Sequence, residues 1–96
     1  MTSTPDGPES VAFGLAVAPN PTSSVATVRF VLEDAQQARL ALYDMLGRQV
    51  AIVAEGSFGA GESSAQVQTS ALPSGVYVLR LEAENGSATR QLSVVR

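Results

Sequence analysis

The stretch Val76-Tyr77-Val78-Leu79-Arg80-Leu81-Glu82, followed by Asn85-Gly86 and then by Thr89-Arg90-Gln91-Leu92-Ser93-Val94-Val95, decides the fold class. Side chains alternate across a strand, so Tyr77, Leu79 and Leu81 share a buried face while Arg80 and Glu82 point to solvent. Leu92 and Val94 continue the inward face in the second run. An Asn-Gly pair between two such runs is the strongest short hairpin signal, because both central positions of a type I′ turn need positive φ. A β-hairpin over these residues is therefore predicted.

Working upstream, Leu72-Pro73-Ser74-Gly75 is a turn that launches this strand. Residues 64–69 set Ala65 and Val67 against Gln66 and Gln68, a weak strand of edge character, after a loose connection through Gly56, Gly59 and Gly61. Asp44-Met45-Leu46-Gly47 predicts a tight hairpin between strands at 39–43 and 49–54: Asp can hydrogen-bond the backbone ahead of it, and Gly47 tolerates positive φ. Leu40 and Leu42 face inward, with Arg39 and Tyr43 opposite. Beyond the polar Glu33-Asp34 and Gln36-Gln37 turn, residues 25–32 bury Val28, Phe30 and Leu32. A first strand at 13–18 stops at Pro19-Asn20-Pro21, where the chain should kink or cross between sheets. Turn signals about every 10 residues predict an all-β, Ig-like β-sandwich of about seven antiparallel strands. Residues 1–12 are expected to be an added start and an interdomain linker, and 13–96 the sandwich.

Ninety-six residues allow one core. The formal charge is −3, and six scattered arginines give no cationic patch, so nucleic acid is not expected as a partner. His, Cys and Lys are absent, which removes the usual general base, the thiolate, the Schiff-base amine and the common transition-metal ligands. No catalytic residue, metal or cofactor is expected. Glu33-Asp34 and the pair Glu82 and Glu84 read as solvated strand ends, and Asp34, Asp44 and Glu84 lack the spacing of an EF-hand. Tyr43 and Phe58, the latter in the Gly-rich connection, are the candidates for a sugar-stacking platform. They support an alternative reading as a carbohydrate-binding or spacer module appended to a secreted enzyme. No apolar run approaches the roughly 20 residues of a membrane helix, and the start at Met1 has no signal-peptide pattern.

Four punctuated motifs occur in order: Pro19-Asn20-Pro21, then Tyr43-Asp44-Met45-Leu46-Gly47-Arg48, then Leu72-Pro73-Ser74-Gly75-Val76-Tyr77, and a final strand ending in Val94-Val95-Arg96. In this order the chain resembles the C-terminal sorting domain of the type IX secretion system, type A. The resemblance implies a β-sandwich that catalyses nothing and directs an N-terminal cargo domain in the same chain from the periplasm across the outer membrane, to the cell surface or beyond. It implies an outer-membrane translocon and a sortase as partners, and attachment of the cleaved cargo to anionic lipopolysaccharide. The positions that match are Pro19, Asn20 and Pro21; Tyr43, Asp44, Gly47 and Arg48; Gly75 and Tyr77; and Val94, Val95 and Arg96. Many members carry lysine in the last two strands, where this chain has Arg80, Arg90 and Arg96. Arg48, Arg96 and Asp44 are the candidates for a partner surface, since exposed ions at strand ends add little stability.

Overall fold

Alternation extends through seven strands, which a computed structural model places in two antiparallel sheets; it describes residues 12–84 and 86–95. One sheet has the order β1 (Ala16–Ala18), β2 (Val25–Leu32), β5 (Gly61–Gln68). The other runs β4 (Gln49–Phe58), β3 (Gln36–Asp44), β6 (Gly75–Ala83), β7 (Gly86–Val94). The all-β prediction of an Ig-like sandwich holds. Among the described residues no helix is long and apolar enough to cross a membrane.

The core is the inward face of both sheets. Val28, Phe30 and Leu32 of β2 meet Leu40 and Leu42 of β3, Leu79 and Leu81 of β6, and Leu92 of β7, all nearly inaccessible to solvent. Each such side chain stabilises the fold by roughly 1.5–3 kcal/mol relative to exposure. With no Trp, close packing falls on one aromatic pair, Phe30 and Phe58, whose rings meet edge to face at 5.4 Å and 78°.

The boundaries correct several expectations. The first strand is shorter than 13–18: Ala12–Gly14 form a 3-10 turn, with Phe13 at φ 64 and Gly14 at φ 57, and only Ala16–Ala18 pair with β2. Positive φ at two successive residues is incompatible with a ladder. The glycine-rich connection is also mostly strand. Gly56 pairs with Ala38 and Gly61 with Leu32, so β4 runs on to Phe58 and β5 starts at Gly61. Long partners override the weak strand preference of glycine, because every residue added satisfies a ladder hydrogen bond.

The last hairpin forms as predicted, but Gly86 is already paired with Ala83 as the first residue of β7, so the tight turn lies one residue earlier than an Asn85-Gly86 turn. Gly86 has a second use: a Cβ there would stand 3.5 Å from the ring of Phe13. Asn85, Arg96 and residues 1–11 of the linker expected at 1–12 lie outside the described residues. The chain does cross between sheets at Pro19-Asn20-Pro21, passing from β1 in one sheet to Thr22, which bridges Val94 in the other. β5 is an edge strand, paired on one side only with β2.

Candidate functional site

The turn after β3 is built by one carboxylate. Asp44 Oδ1 accepts the backbone N–H of Leu46 at 2.9 Å and that of Arg48 at 3.0 Å, and Oδ2 accepts Arg48 Nε at 2.9 Å. Backbone bonds from Asp44 N to Arg48 O at 2.9 Å and from Gly47 N to Asp44 O at 3.0 Å close the loop, with Gly47 at φ 86. The Arg48 backbone N–H, aided by that of Leu46 and by the guanidinium, holds the Asp44 carboxyl below its ordinary range. The predicted bonding of Asp44 to the backbone ahead of it is what the structure contains.

The Pro19-Asn20-Pro21 segment lies along the outer edge of β7. Proline has no N–H to offer an edge, and the side chain of Asn20 supplies what is missing. Its Nδ2 donates to Gln91 O at 2.8 Å and its Oδ1 accepts Ser93 N–H at 3.0 Å. Thr22 continues the seam in the backbone, donating to Ser93 O at 2.9 Å and accepting from Val95 N at 2.9 Å. Thr22 itself is buried, and its hydroxyl bonds Val25 O at 3.1 Å.

The third motif docks beside the other two. Gly75 is paired with Val94, and Tyr77 with Asp44. Tyr77 is mostly buried, and its hydroxyl donates to Pro73 O at 2.6 Å, which ties the turn down onto the strand it launches. Motifs separated by tens of residues thus meet at one end of the sandwich: Pro19, Asn20, Pro21, Tyr43, Asp44, Gly47, Arg48, Gly75, Tyr77, Val94 and Val95 are all there. Arg80 is not. It sits in mid-strand on the outer face, ion-paired to Glu82 at 3.1 Å.

Charge is distributed along the same axis. Glu33, Asp34, Glu62 and Glu84 cluster toward the opposite end, where Phe13 packs near Val31 and Gly86, and Glu55 and Glu82 lie on the flank of Arg39. The nine residues of β3, at about 3.3 Å each, separate the two ends by roughly 26 Å. Asp44 is the one described carboxylate at the motif end, and Arg48 neutralises it.

Other candidates from the sequence are dispersed. Phe58 is not in a loop: it ends β4 and packs into the core against Phe30, so it cannot form a platform with Tyr43 on the outer face. Glu82 is paired to Arg80, and Glu84 accepts the N–H of Gln37 at 3.2 Å. Among the described residues no three acidic side chains converge to hold a metal, and Asp44 lies at the opposite end from Asp34 and Glu84. The structure adds to the motif end Thr22, which no apolar pattern in the sequence marks, and Met45, Leu46 and Val76, exposed apolar side chains whose one sequence signal is their place in or beside a turn.

No curated protein matches the chain. The family model described as the secretion system C-terminal sorting domain matches residues 16–95. That span contains all four motifs apart from Arg96, and the sandwich they build is the one the resemblance implied. The chain therefore belongs to the secretion system C-terminal sorting domain family of type IX secretion, whose members mark a protein for export to the cell surface or the extracellular space.

Proposed function

We propose that this sandwich is read by an outer-membrane translocon as a folded surface, at the end where the four motifs meet. The carrying observation is that convergence: motifs far apart in sequence share one end through the Asp44–Tyr77, Gly75–Val94 and Thr22–Val94 pairings. A preformed surface spares its partner the entropy of ordering a flexible tail, and the backbone of this surface is fixed by hydrogen bonds that Asp44 and Asn20 accept and Tyr77 donates.

The cargo precedes the sandwich, and it passes through the periplasm before reaching the translocon. Phe13, next to the first described residue, is at the acidic end, away from the motifs. A sortase then cuts in the linker near residues 7–10, and the freed cargo is joined to anionic lipopolysaccharide. The sandwich contributes no catalytic group to these steps.

The test is a reporter fused ahead of the whole chain in a Gram-negative cell with a type IX system. The intact fusion is expected at the cell surface. Removing residues 92–96 takes away Leu92, Val94 and the edge that Asn20 and Thr22 bond, and the reporter is expected to stay inside the cell. Surface display of the truncated fusion at normal levels would overturn the reading.

A further inference from the structure

A turn tip is ordinarily polar, yet Met45 and Leu46 are 60% and 78% exposed, the most exposed large apolar side chains among the described residues. They do not hang on a loose loop. The Asp44 carboxylate accepts the backbone N–H of Leu46, within the tip, and of Arg48, beyond it, so the two side chains project from a hydrogen-bonded turn. Val76 and Val95, also partly exposed, lie at the same end. The hollow beside them, lined by Tyr43, Met45, Val78, Arg80 and Thr89, holds about 280 Å³. That is below the roughly 300–1,000 Å³ of small-molecule sites. What the surface offers is a protruding apolar tip.

We infer that Met45 and Leu46 are the anchor side chains of the sorting surface, and that they enter an apolar, uncharged pocket on a protein of the secretion machinery. The inference rests on the proposed reading of this end as the recognised one. Charge selects the partner. The ionised groups of the turn, Asp44 and Arg48, neutralise each other at 2.9 Å. The other described carboxylates lie toward the far end, and a charge there is screened over the roughly 8 Å Debye length of physiological salt. Among the described residues the ionised groups nearest the tip are thus paired, Asp44 with Arg48 and Arg80, in the lining of the hollow, with Glu82. An anionic lipid surface is retained by clustered cations; here the one cation of the turn is committed to Asp44 and the chain carries −3 overall. A second copy presents the same charge-neutral tip, with no opposite charge to draw the two together. Interface anchors are typically few side chains seated in a desolvated pocket, and the flexible thioether of Met45 adapts to one.

The experiment uses the same reporter fusion with the full chain. M45S/L46S should lower surface export on the order of tenfold or more, with the urea unfolding midpoint of the chain unchanged, because neither side chain is in the core. V31S removes an apolar side chain, 45% exposed, from the far end and should export normally; M45L/L46M keeps the tip apolar and should also export normally. If the paired change lowers the unfolding midpoint, L46Q alone carries the same readout. Normal export of the serine variant beside blocked export of the 92–96 deletion overturns this inference and leaves the reading of the domain intact. Normal export of both overturns the reading itself. Loss of export in V31S, or in M45L/L46M, also overturns the inference. So does binding of the purified chain to phosphatidylethanolamine–phosphatidylglycerol vesicles that depends on the two residues, or a concentration-dependent dimer abolished by the serine variant.

Discussion

Asn20 takes the place of a strand neighbour for Ser93: its side-chain carbonyl accepts the Ser93 N–H at 3.0 Å while its amide donates to Gln91 O at 2.8 Å. A single side chain thereby satisfies two backbone groups on the open edge of β7, over seventy positions away in sequence. Removing it by Asn20→Ala frees both groups to water, since the bonds are exposed, and the cost is that of ordinary hydrogen bonds, about 1–2 kcal/mol for the pair. The loss should be local. Amide exchange at Ser93 is expected to accelerate in Asn20→Ala while that of Leu79, in the middle of β6, changes only with global stability. Equal acceleration at both sites would mean that the seam is not a separate unit.

Asp44 links acid sensitivity to the motif end. Its folded carboxyl titrates below its ordinary value of 3.8, chiefly because the Arg48 backbone N–H bonds the charged form. A carboxyl lowered by folding stabilises above its unfolded value, and the contribution disappears as pH falls through the folded one. Urea midpoints of the wild-type chain should therefore decline in the acid range below 3.8, while Asp44→Asn, which keeps one acceptor and loses the charge, should start lower at neutral pH and decline less. An identical acid profile in the variant would remove Asp44 from the account.

Gly47 isolates a backbone term. Its φ is 86, and a Cβ built there meets nothing within 4 Å. Gly47→Ala is thus free of clashes and should cost only the left-handed penalty, about 1–2 kcal/mol. Gly47→Asn should recover much of that, because Asn tolerates this region through its own local hydrogen bonding. The check is a pair of denaturant curves with unchanged slope and ordered midpoints, Gly above Asn above Ala.

What the sequence revealed was what neighbours in the chain decide. The alternation of Tyr77, Leu79 and Leu81 and the Asp44-to-Gly47 turn depend on local geometry, and both fold as expected. Phe13 could not be foreseen as a positive-φ residue, since its conformation belongs to a side chain packing over Gly86, which only the tertiary fold supplies. Local preference points to loop for the glycines at 56 and 61, while β3 and β2 recruit them into ladders. The site was half legible. Motifs name its residues, but their meeting depends on long-range pairings such as Gly75 with Val94, and Arg80, a candidate because it stands where the family carries lysine, sits in mid-strand paired to Glu82.

Arg80 should behave as a surface residue. Its ion pair with Glu82 spans 3.1 Å between side chains 47% and 42% exposed, a setting in which such pairs contribute about 0–1 kcal/mol. Arg80→Ala is expected to leave the unfolding midpoint within that margin, with added salt narrowing the difference further. A larger loss would show that the arginine stem covers part of the outer face, which Arg80→Met would then restore.

Phe58 separates the core from the sugar-platform alternative. It ends β4, partly buried, with its ring edge to face with Phe30 at 5.4 Å. Phe58→Leu keeps most of the apolar burial and loses the aromatic pair, a cost of about 0.5–1.5 kcal/mol. Phe58→Ala also opens a gap beside Phe30 and should cost more, though less than the roughly 3–5 kcal/mol of a fully buried Phe, because part of the ring is already in water. The ordering wild type, Leu, Ala in urea midpoint is the expected result. Titrating the intact chain with xylan, cellulose or mannan should give no heat and leave those midpoints in place. Saturable binding lost in Phe58→Leu, without any change in stability, would return the ring to the surface and the platform with it.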